Sequence, residues 1–175
     1  TPDYCAIDFG TSNSAVALPT PDGVRLVALE AGHATMPTAV FYVADSPAHL
    51  AEPERLYGRA AVAAYVEGVD GRLMRSMKSI LGSTLADQAT DVGAGRSVKY
   101  LDVVSGYLRH LKRLAEAELG HAADRVVLGR PVFFVDDDPA RDAQAQAALE
   151  TAARQVGFRE LQFQYEPIAA ALDFE

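Results

Sequence analysis

The amino-acid sequence predicts an α/β fold, in which a mixed five-stranded sheet is flanked by helices and carries a small inserted α+β subdomain. Three observations predict this fold class. The start of the chain contains three short apolar or alternating runs separated by turn residues, which is typical of an antiparallel meander. The second half alternates helical and strand patterns, which is typical of strands joined by crossover helices. The middle follows neither pattern, and this indicates an insertion.

The predicted meander occupies residues 4–7, 14–18 and 24–29. The segment PTPDG at residues 19–23 joins the second run to the third. Its prolines and glycine supply the fixed or positive φ angles that turns require. We therefore expect these runs to pair as neighbouring antiparallel strands.

The first helix-and-strand unit begins in the second half of the chain. Apolar residues recur at helical spacing over residues 102–119, with Asp102 as the predicted N-cap and Gly120 as the predicted stop. The run VVLG at residues 126–129 is short and continuously apolar. This pattern predicts a strand that is covered on both faces.

The second unit repeats this order. A helix is predicted over residues 139–156 and ends at Gly157, and an alternating strand is predicted over residues 161–165. Pro167 then opens a further helix, because the missing N–H of proline costs nothing in a first turn.

The inserted subdomain is predicted over residues 36–99, which leaves residues 1–35 and 100–175 as the core subdomain with the main sheet. Within the insertion we predict a strand at residues 38–43 and an alanine-rich helix at residues 57–66. A lysine-bearing segment and a glycine-rich polar stretch follow.

Charge and composition narrow the class of protein. The formal net charge is −8 at pH 7, whereas duplex binding requires a clustered Lys/Arg surface, so we expect no nucleic-acid partner. The single cysteine, Cys5, forms no internal disulfide and is interpreted as a small core residue, which favours a reducing cytoplasm. No apolar run approaches the roughly 18 to 20 residues that a membrane span requires, so no membrane partner is expected.

Two charged clusters have alternative interpretations. Arg109, Lys112 and Arg113 alternate with leucines and are predicted to form a solvated helix face, with a phosphate-binding stripe as the alternative. The acidic run at residues 136–138 precedes Pro139 and is predicted to cap a helix, with a metal site as the alternative.

The segment DFGTSNS at residues 8–14 is the most informative for function. A tight turn between two strands exposes backbone N–H groups and hydroxyls together, and Gly10 allows close approach of an anion. The carboxylate of Asp8 at the strand end suits a hydrated Mg²⁺. An ordinary polar hairpin turn is the alternative. The Walker and dinucleotide fingerprints do not match, because neither a Gly-Lys-Ser/Thr nor an immediate helix follows the glycine.

Four segments in this order resemble the actin-like ATPase fold, which is ribonuclease H-like, and most closely the DnaK-type chaperones of the heat shock protein 70 family. DFGTSNS resembles their first phosphate loop, and RLYGRAA at residues 55–61 resembles their inserted-subdomain signature. MKSILG at residues 77–82 resembles the segment with their catalytic lysine, and YEPIAAA at residues 165–171 resembles the helix that closes their first lobe. The resemblance implies the first lobe of an ATP-binding, ATP-hydrolysing chaperone-like protein.

A finer resemblance concerns the subfamily. LGRPV at residues 128–132 and DFE at residues 173–175 are most similar to the YegD-type members of this family. The family resemblance also implies nucleotide, client polypeptides and co-chaperones as partners of the whole protein.

Individual roles follow from the resemblance. Asp8 would organise the water shell of Mg²⁺, Lys78 would orient the attacking water, and Glu166 would add a second carboxylate linked to Mg²⁺ through water. Considered alone, Lys78 would be a solvated side chain and Glu166 an acidic residue favoured at a helix N-terminus. The residues implied to contact the β- and γ-phosphates of ATP or ADP are Gly10, Thr11, Ser12 and Asn13.

The resemblance also implies a switch that reports the nucleotide state. Pro131 and Arg141 would form it together with Glu166. Residues 136–138 lengthen the spacing between Pro131 and Arg141 beyond that of the chaperones, so a surface salt bridge is the alternative role of Arg141.

Other functions of the same fold remain as alternatives. Sugar and acetate kinases share the first phosphate loop, and bacterial cell-shape filament proteins share both that loop and a Glu-Pro-x-Ala-Ala-Ala segment. A cytomotive filament or scaffold protein is therefore the second functional hypothesis, and nucleotide-dependent pelleting would distinguish it. The resemblance implies that the adenosine pocket and the second lobe lie after Glu175. The last predicted helix has no stop signal, so we expect the chain to come from a longer gene product.

Overall fold

The computed structural model describes residues 4–75, 77–83, 87–130 and 134–165. In chain order the elements are β1 (Tyr4–Phe9), β2 (Asn13–Thr20), β3 (Gly23–Leu26), β4 (Thr35–Pro37), β5 (Val40–Val43), β6 (Arg55–Tyr57), α1 (Gly58–Val66), β7 (Gly71–Met74), α2 (Met77–Leu81), β8 (Ala89–Gly93), β9 (Arg96–Lys99), α3 (Tyr100–Leu119), β10 (Arg125–Arg130), α4 (Pro139–Gln155) and β11 (Glu160–Tyr165).

The main sheet has the strand order β11-β10-β1-β2-β3. β1, β10 and β11 run parallel, whereas β2 is antiparallel to both β1 and β3. The predicted mixed sheet and its five strands are therefore confirmed. A sixth strand, β4, pairs with β2, and its three residues are too few to produce a strand pattern in the sequence.

One face of the main sheet packs against α3 and α4. Cys5, Ile7 and Phe9 of β1 are buried in one apolar cluster with Leu108 of α3 and Leu149 of α4. Cys5 is fully buried, as the sequence predicts, and burial raises the pKa of its thiol to about 12. This face therefore supplies the hydrophobic core of the chain.

The middle of the chain forms two smaller sheets. β6, β5 and β7 make an antiparallel sheet, and β8 and β9 make a hairpin. Ala61 and Ala64 of α1 pack on Phe41 of β5 in a second, smaller apolar cluster. These elements lie within the predicted insertion at residues 36–99, while the exact division into subdomains stays a prediction.

The ends of α3 differ in their agreement with the sequence. Gly120 ends the helix in the left-handed conformation with φ 78°, as predicted. Asp102 is not the N-cap, because β9 continues directly into α3 and the cap position is Lys99. The N–H of Tyr100 donates to the Gln88 carbonyl at 2.9 Å, so a backbone contact starts the helix earlier than the predicted cap.

The structure tests the predictions for the two charged clusters. The prediction of a solvated face is wrong for Lys112, whose side chain is only 12% exposed, donates to Glu116 at 2.8 Å and lies over the Phe158 ring. Asp138 caps α4 as predicted, because its Oδ1 accepts a hydrogen bond from the N–H of Arg141 at 3.1 Å. Within the described part of the chain, no helix combines the length and apolarity needed to cross a membrane.

Candidate nucleotide-phosphate site

The loop between β1 and β2, residues 10–12, lies at the carboxyl end of a central strand. Asp8 of β1 is in register with Gly129 of β10 on one side and Ala15 of β2 on the other. Because side chains alternate along a strand, Asp8 lies on the face opposite Ile7 and Phe9, away from the core. Ligands of open α/β sheets bind outside the carboxyl ends of the strands, so the position suits a binding site.

The loop is exposed and tightly turned. Thr11, Ser12 and Asn13 are exposed, so their hydroxyl and amide groups are accessible to a ligand. A Cβ added to Gly10 would stand 2.1 Å from the carbonyl oxygen of Asn13. Glycine is therefore required at this position by the close approach of the backbone.

Hydrogen bonds from Thr38, which directly follows β4, hold the end of this loop that leads into β2. The N–H of Thr38 donates to the Ser12 carbonyl at 3.0 Å, and the hydroxyls of Thr38 and Ser14 are 2.8 Å apart. The Tyr107 hydroxyl of α3 donates to the Pro37 carbonyl at 3.0 Å, and burial raises the pKa of Tyr107 to about 12. The loop thus rests on β4 and, through β4, on the core helix.

A cavity of about 340 Å³ lies against the loop, and we refer to it as the loop cavity. Its volume is within the range of small-molecule sites. The residues that line it are Thr11, Ser12, Pro37, Thr38, Ala39, Val62 and Arg75.

The RLYGRAA segment forms β6 and the start of α1. Glu30 reaches the start of this helix, where its carboxylate accepts from the N–H of Arg59 at 2.9 Å and from the Arg59 guanidinium at 2.5 Å. Gly58 has φ +63°, and a Cβ there would lie 2.3 Å from Met36 and 2.8 Å from Glu30. Gly58 and Arg59 are therefore the residues of this segment that the docking of α1 beside the main sheet requires.

The predicted catalytic lysine and switch arginine lie on packed helices. Lys78 is part of α2, and the Arg141 guanidinium of α4 donates twice to the Gly82 carbonyl just after α2, at 2.7 and 3.0 Å. A Cβ on Gly82 would be 2.5 Å from Val135, so the two segments are closely packed. Among the described residues, Arg141 binds a carbonyl and forms no salt bridge. Pro131 and Glu166 lie outside the described residues.

Arg130, at the end of β10, forms an ion pair that was not predicted from the sequence. Arg130 is 7% exposed, and its guanidinium donates to both carboxylate oxygens of Asp142 in α4 at 2.8 and 3.1 Å and to Gln146. Its guanidinium carbon also lies 4.6 Å from the Phe134 ring centroid and 5.6 Å from that of Tyr165. A charged residue at the end of an apolar strand was the available signal.

Asp142 connects this ion pair to the backbone. The N–H of Phe134 donates to its Oδ1 at 2.5 Å. The hydrogen bond from Arg130 lowers the pKa of Asp142, burial opposes that shift, and the backbone N–H groups of Phe134 and Val135 add to the lowering. The ionised carboxylate therefore joins the end of β10 to Phe134 and Val135, which precede α4.

Together, the parallel strands β1, β10 and β11, their antiparallel extension and the crossover helices define an α/β lobe of the actin-like ATPase class. The family model described as Hsp70 protein matches residues 4–174. The chain therefore belongs to the Hsp70 family, as its motifs predict.

One similar relative is the chaperone protein HscA of Edwardsiella ictaluri (strain 93-146). It is 31% identical over an alignment of 188 residues, which covers 96% of this chain and 28% of that protein. The chain thus spans little more than a quarter of this relative. The finer resemblance to YegD-type members stays a prediction.

Proposed function

We propose that this chain binds the phosphates of ATP and ADP as the first lobe of an ATP-hydrolysing chaperone. The observation that supports this most directly is the exposed loop at residues 10–12, which is held by hydrogen bonds at the carboxyl end of β1 and faces a cavity. Gly10, Thr11, Ser12 and Asn13 would contact the β- and γ-phosphates through N–H and hydroxyl groups. The family supports the choice of nucleotide.

The carboxylate of Asp8 fits a hydrated Mg²⁺. It offers hard oxygen ligands, it is half-buried, and it lies beside the loop on the face opposite the core. When bound, Mg²⁺ neutralises charge on the phosphates. Asp8, and Glu166 by resemblance, would hold it through water.

Hydrolysis requires a positioned water more than covalent help from the protein. Lys78 would hold the water that attacks the γ-phosphorus, while the bond to the β–γ bridging oxygen breaks and ADP leaves with the electron pair. The contact of Arg141 with the Gly82 carbonyl joins α2 to α4 and supports a role for Arg141, with Pro131, in transmitting the nucleotide state. Client polypeptides and co-chaperones would be partners of the whole protein, in the cytoplasm.

The experiment is calorimetry of Mg·ATP binding to the 175-residue chain and to Asp8→Asn. This lobe would supply one wall of the nucleotide cleft, so we expect a dissociation constant on the order of millimolar. The neutral amide should weaken the dependence on Mg²⁺ while ATP without metal binds similarly. Micromolar affinity would contradict the one-wall hypothesis, and identical Mg²⁺ titrations would contradict the role of Asp8.

A further inference from the structure

The loop cavity is lined by a charged side chain as well as by residues of the phosphate loop. Arg75 directly follows β7 and lines the cavity together with Thr11 and Ser12. Arg75 supplies the only formal charge among the described residues that line this cavity. Because the loop contributes hydroxyl and N–H donors and Arg75 contributes a cation to the same lining, the cavity is suited to an anion.

The Arg75 guanidinium lies over an aromatic ring, and no acidic side chain among the described residues forms a salt bridge with it. Its central carbon lies 5.7 Å from the centroid of the Tyr65 ring, which is a cation–π arrangement. Within the described ranges, the salt bridges of the chain do not include Arg75. A guanidinium has five N–H donors, so this contact with one ring leaves donors available for a further acceptor.

We propose that Arg75 binds the phosphate chain of the nucleotide in the loop cavity, which it lines together with Thr11 and Ser12. This inference rests on the proposed function, because it assigns a further residue to the same phosphate site. A phosphate group matches the donors of this lining, since it accepts bidentate hydrogen bonds from arginine and further bonds from N–H and hydroxyl groups. Ala39 and Val62 complete the lining with apolar surface, which strengthens the interaction of charges inside the cavity.

The test is a titration of the ¹⁵N-labelled chain with Mg·ATP and, separately, with inorganic pyrophosphate, followed at the amide signals of Thr11 and Ser12. Arg75→Ala should raise the dissociation constant of both ligands about five- to tenfold, and Arg75→Lys should recover part of the loss. Arg72→Ala is the matched control, because Arg72 is exposed on β7, three positions before Arg75, lies outside the cavity lining and carries the same charge. It should change affinity by less than about twofold.

The results of these titrations distinguish the role of Arg75 from the proposed function of the loop. Loop signals that shift equally in wild type and Arg75→Ala would overturn the role of Arg75 and leave the proposed function standing. Equal weakening by Arg72→Ala and Arg75→Ala would also overturn it, because the effect would then be long-range charge alone. No shift of the loop signals in the wild type with either ligand would overturn both. Should Arg75→Ala lose its dispersed spectrum, Arg75→Gln provides the same comparison with a side chain of similar length.

Discussion

Replacing Asp142 by asparagine should destabilise the chain through the charge it leaves behind. The asparagine side chain has nearly the same shape, but it withdraws the negative partner of Arg130, whose side chain is 9% exposed. Gln146, the other described side-chain acceptor of Arg130, is neutral. The substitution therefore removes the negative charge that Asp142 places against a largely buried guanidinium.

The size of the effect follows from these contacts. Removing one partner of a buried ion pair costs about 3–5 kcal/mol. The side chain of Asp142 is 17% exposed, so water will solvate part of the site, and we expect the free energy of unfolding to fall by about 2–4 kcal/mol. For a domain of this size, the melting temperature should fall by roughly 5–15 °C.

The stability that Asp142 contributes to the folded chain should depend on pH. The pKa of Asp142 is lower in the folded chain than the unfolded value of about 3.9, so its contribution is fully present above that value. The contribution is lost as the pH falls through the lower, folded pKa. Melting curves of wild type and Asp142→Asn should therefore be well separated at pH 7 and should converge at acid pH.

The control is a double-mutant cycle with Arg130→Met. Methionine has a similar length and can pack between the rings of Phe134 and Tyr165. Once Arg130 is replaced, Asp142→Asn should cost much less than it does in the wild type. Equal costs in the two backgrounds, or melting curves separated by the same amount at every pH, would refute the ion-pair explanation.

Three further predictions concern other sites. Gly10→Ala should lower the melting temperature and displace the amide signals of the loop, because the added Cβ would stand 2.1 Å from the Asn13 carbonyl oxygen; an unchanged spectrum would contradict the close contact. Lys78→Ala in the whole protein should lower single-turnover ATP hydrolysis about tenfold for each 1.4 kcal/mol of lost transition-state stabilisation, with nucleotide affinity retained, and wild-type rates would exclude the role. Cys5 should resist alkylation at pH 8 until denaturant is added, because burial raises its pKa to about 12; rapid labelling of the folded chain would show that β1 is accessible.

The elements that the sequence predicts correctly are those whose signal lies within one short segment of the chain. The run at residues 126–129 predicts a covered strand because every member is apolar or glycine, and the structure confirms the strand within β10, where Val126 and Leu128 are buried and Val127 is half-buried. Gly120 predicts a helix end because few other residues adopt its backbone conformation readily. The phosphate loop is similarly local, since its glycine, hydroxyls and carboxylate lie within seven consecutive residues.

Features that depend on distant partners could not be predicted in this way. Arg130 and Asp142 are 12 positions apart and meet only because β10 and α4 pack side by side. Asp102 had the residue type of a cap, but the continuation of β9 into α3 placed the helix start before it. The loop cavity depends on Thr38, Val62 and Arg75 being brought to the loop at residues 10–12, and no pattern within one segment encodes that arrangement.

The hydrogen bonds around Thr38 have a consequence for how the loop responds to a ligand. Because Ser12 and Ser14 are both joined to Thr38, the end of the loop that leads into β2 is fixed before any ligand arrives. Binding would therefore forfeit little backbone entropy, and the bound and free loops should have nearly the same shape. The loop itself would then differ little between one bound ligand and another. A conformational difference between two such bound states would require that whole elements, such as α1 or α2, move relative to the loop.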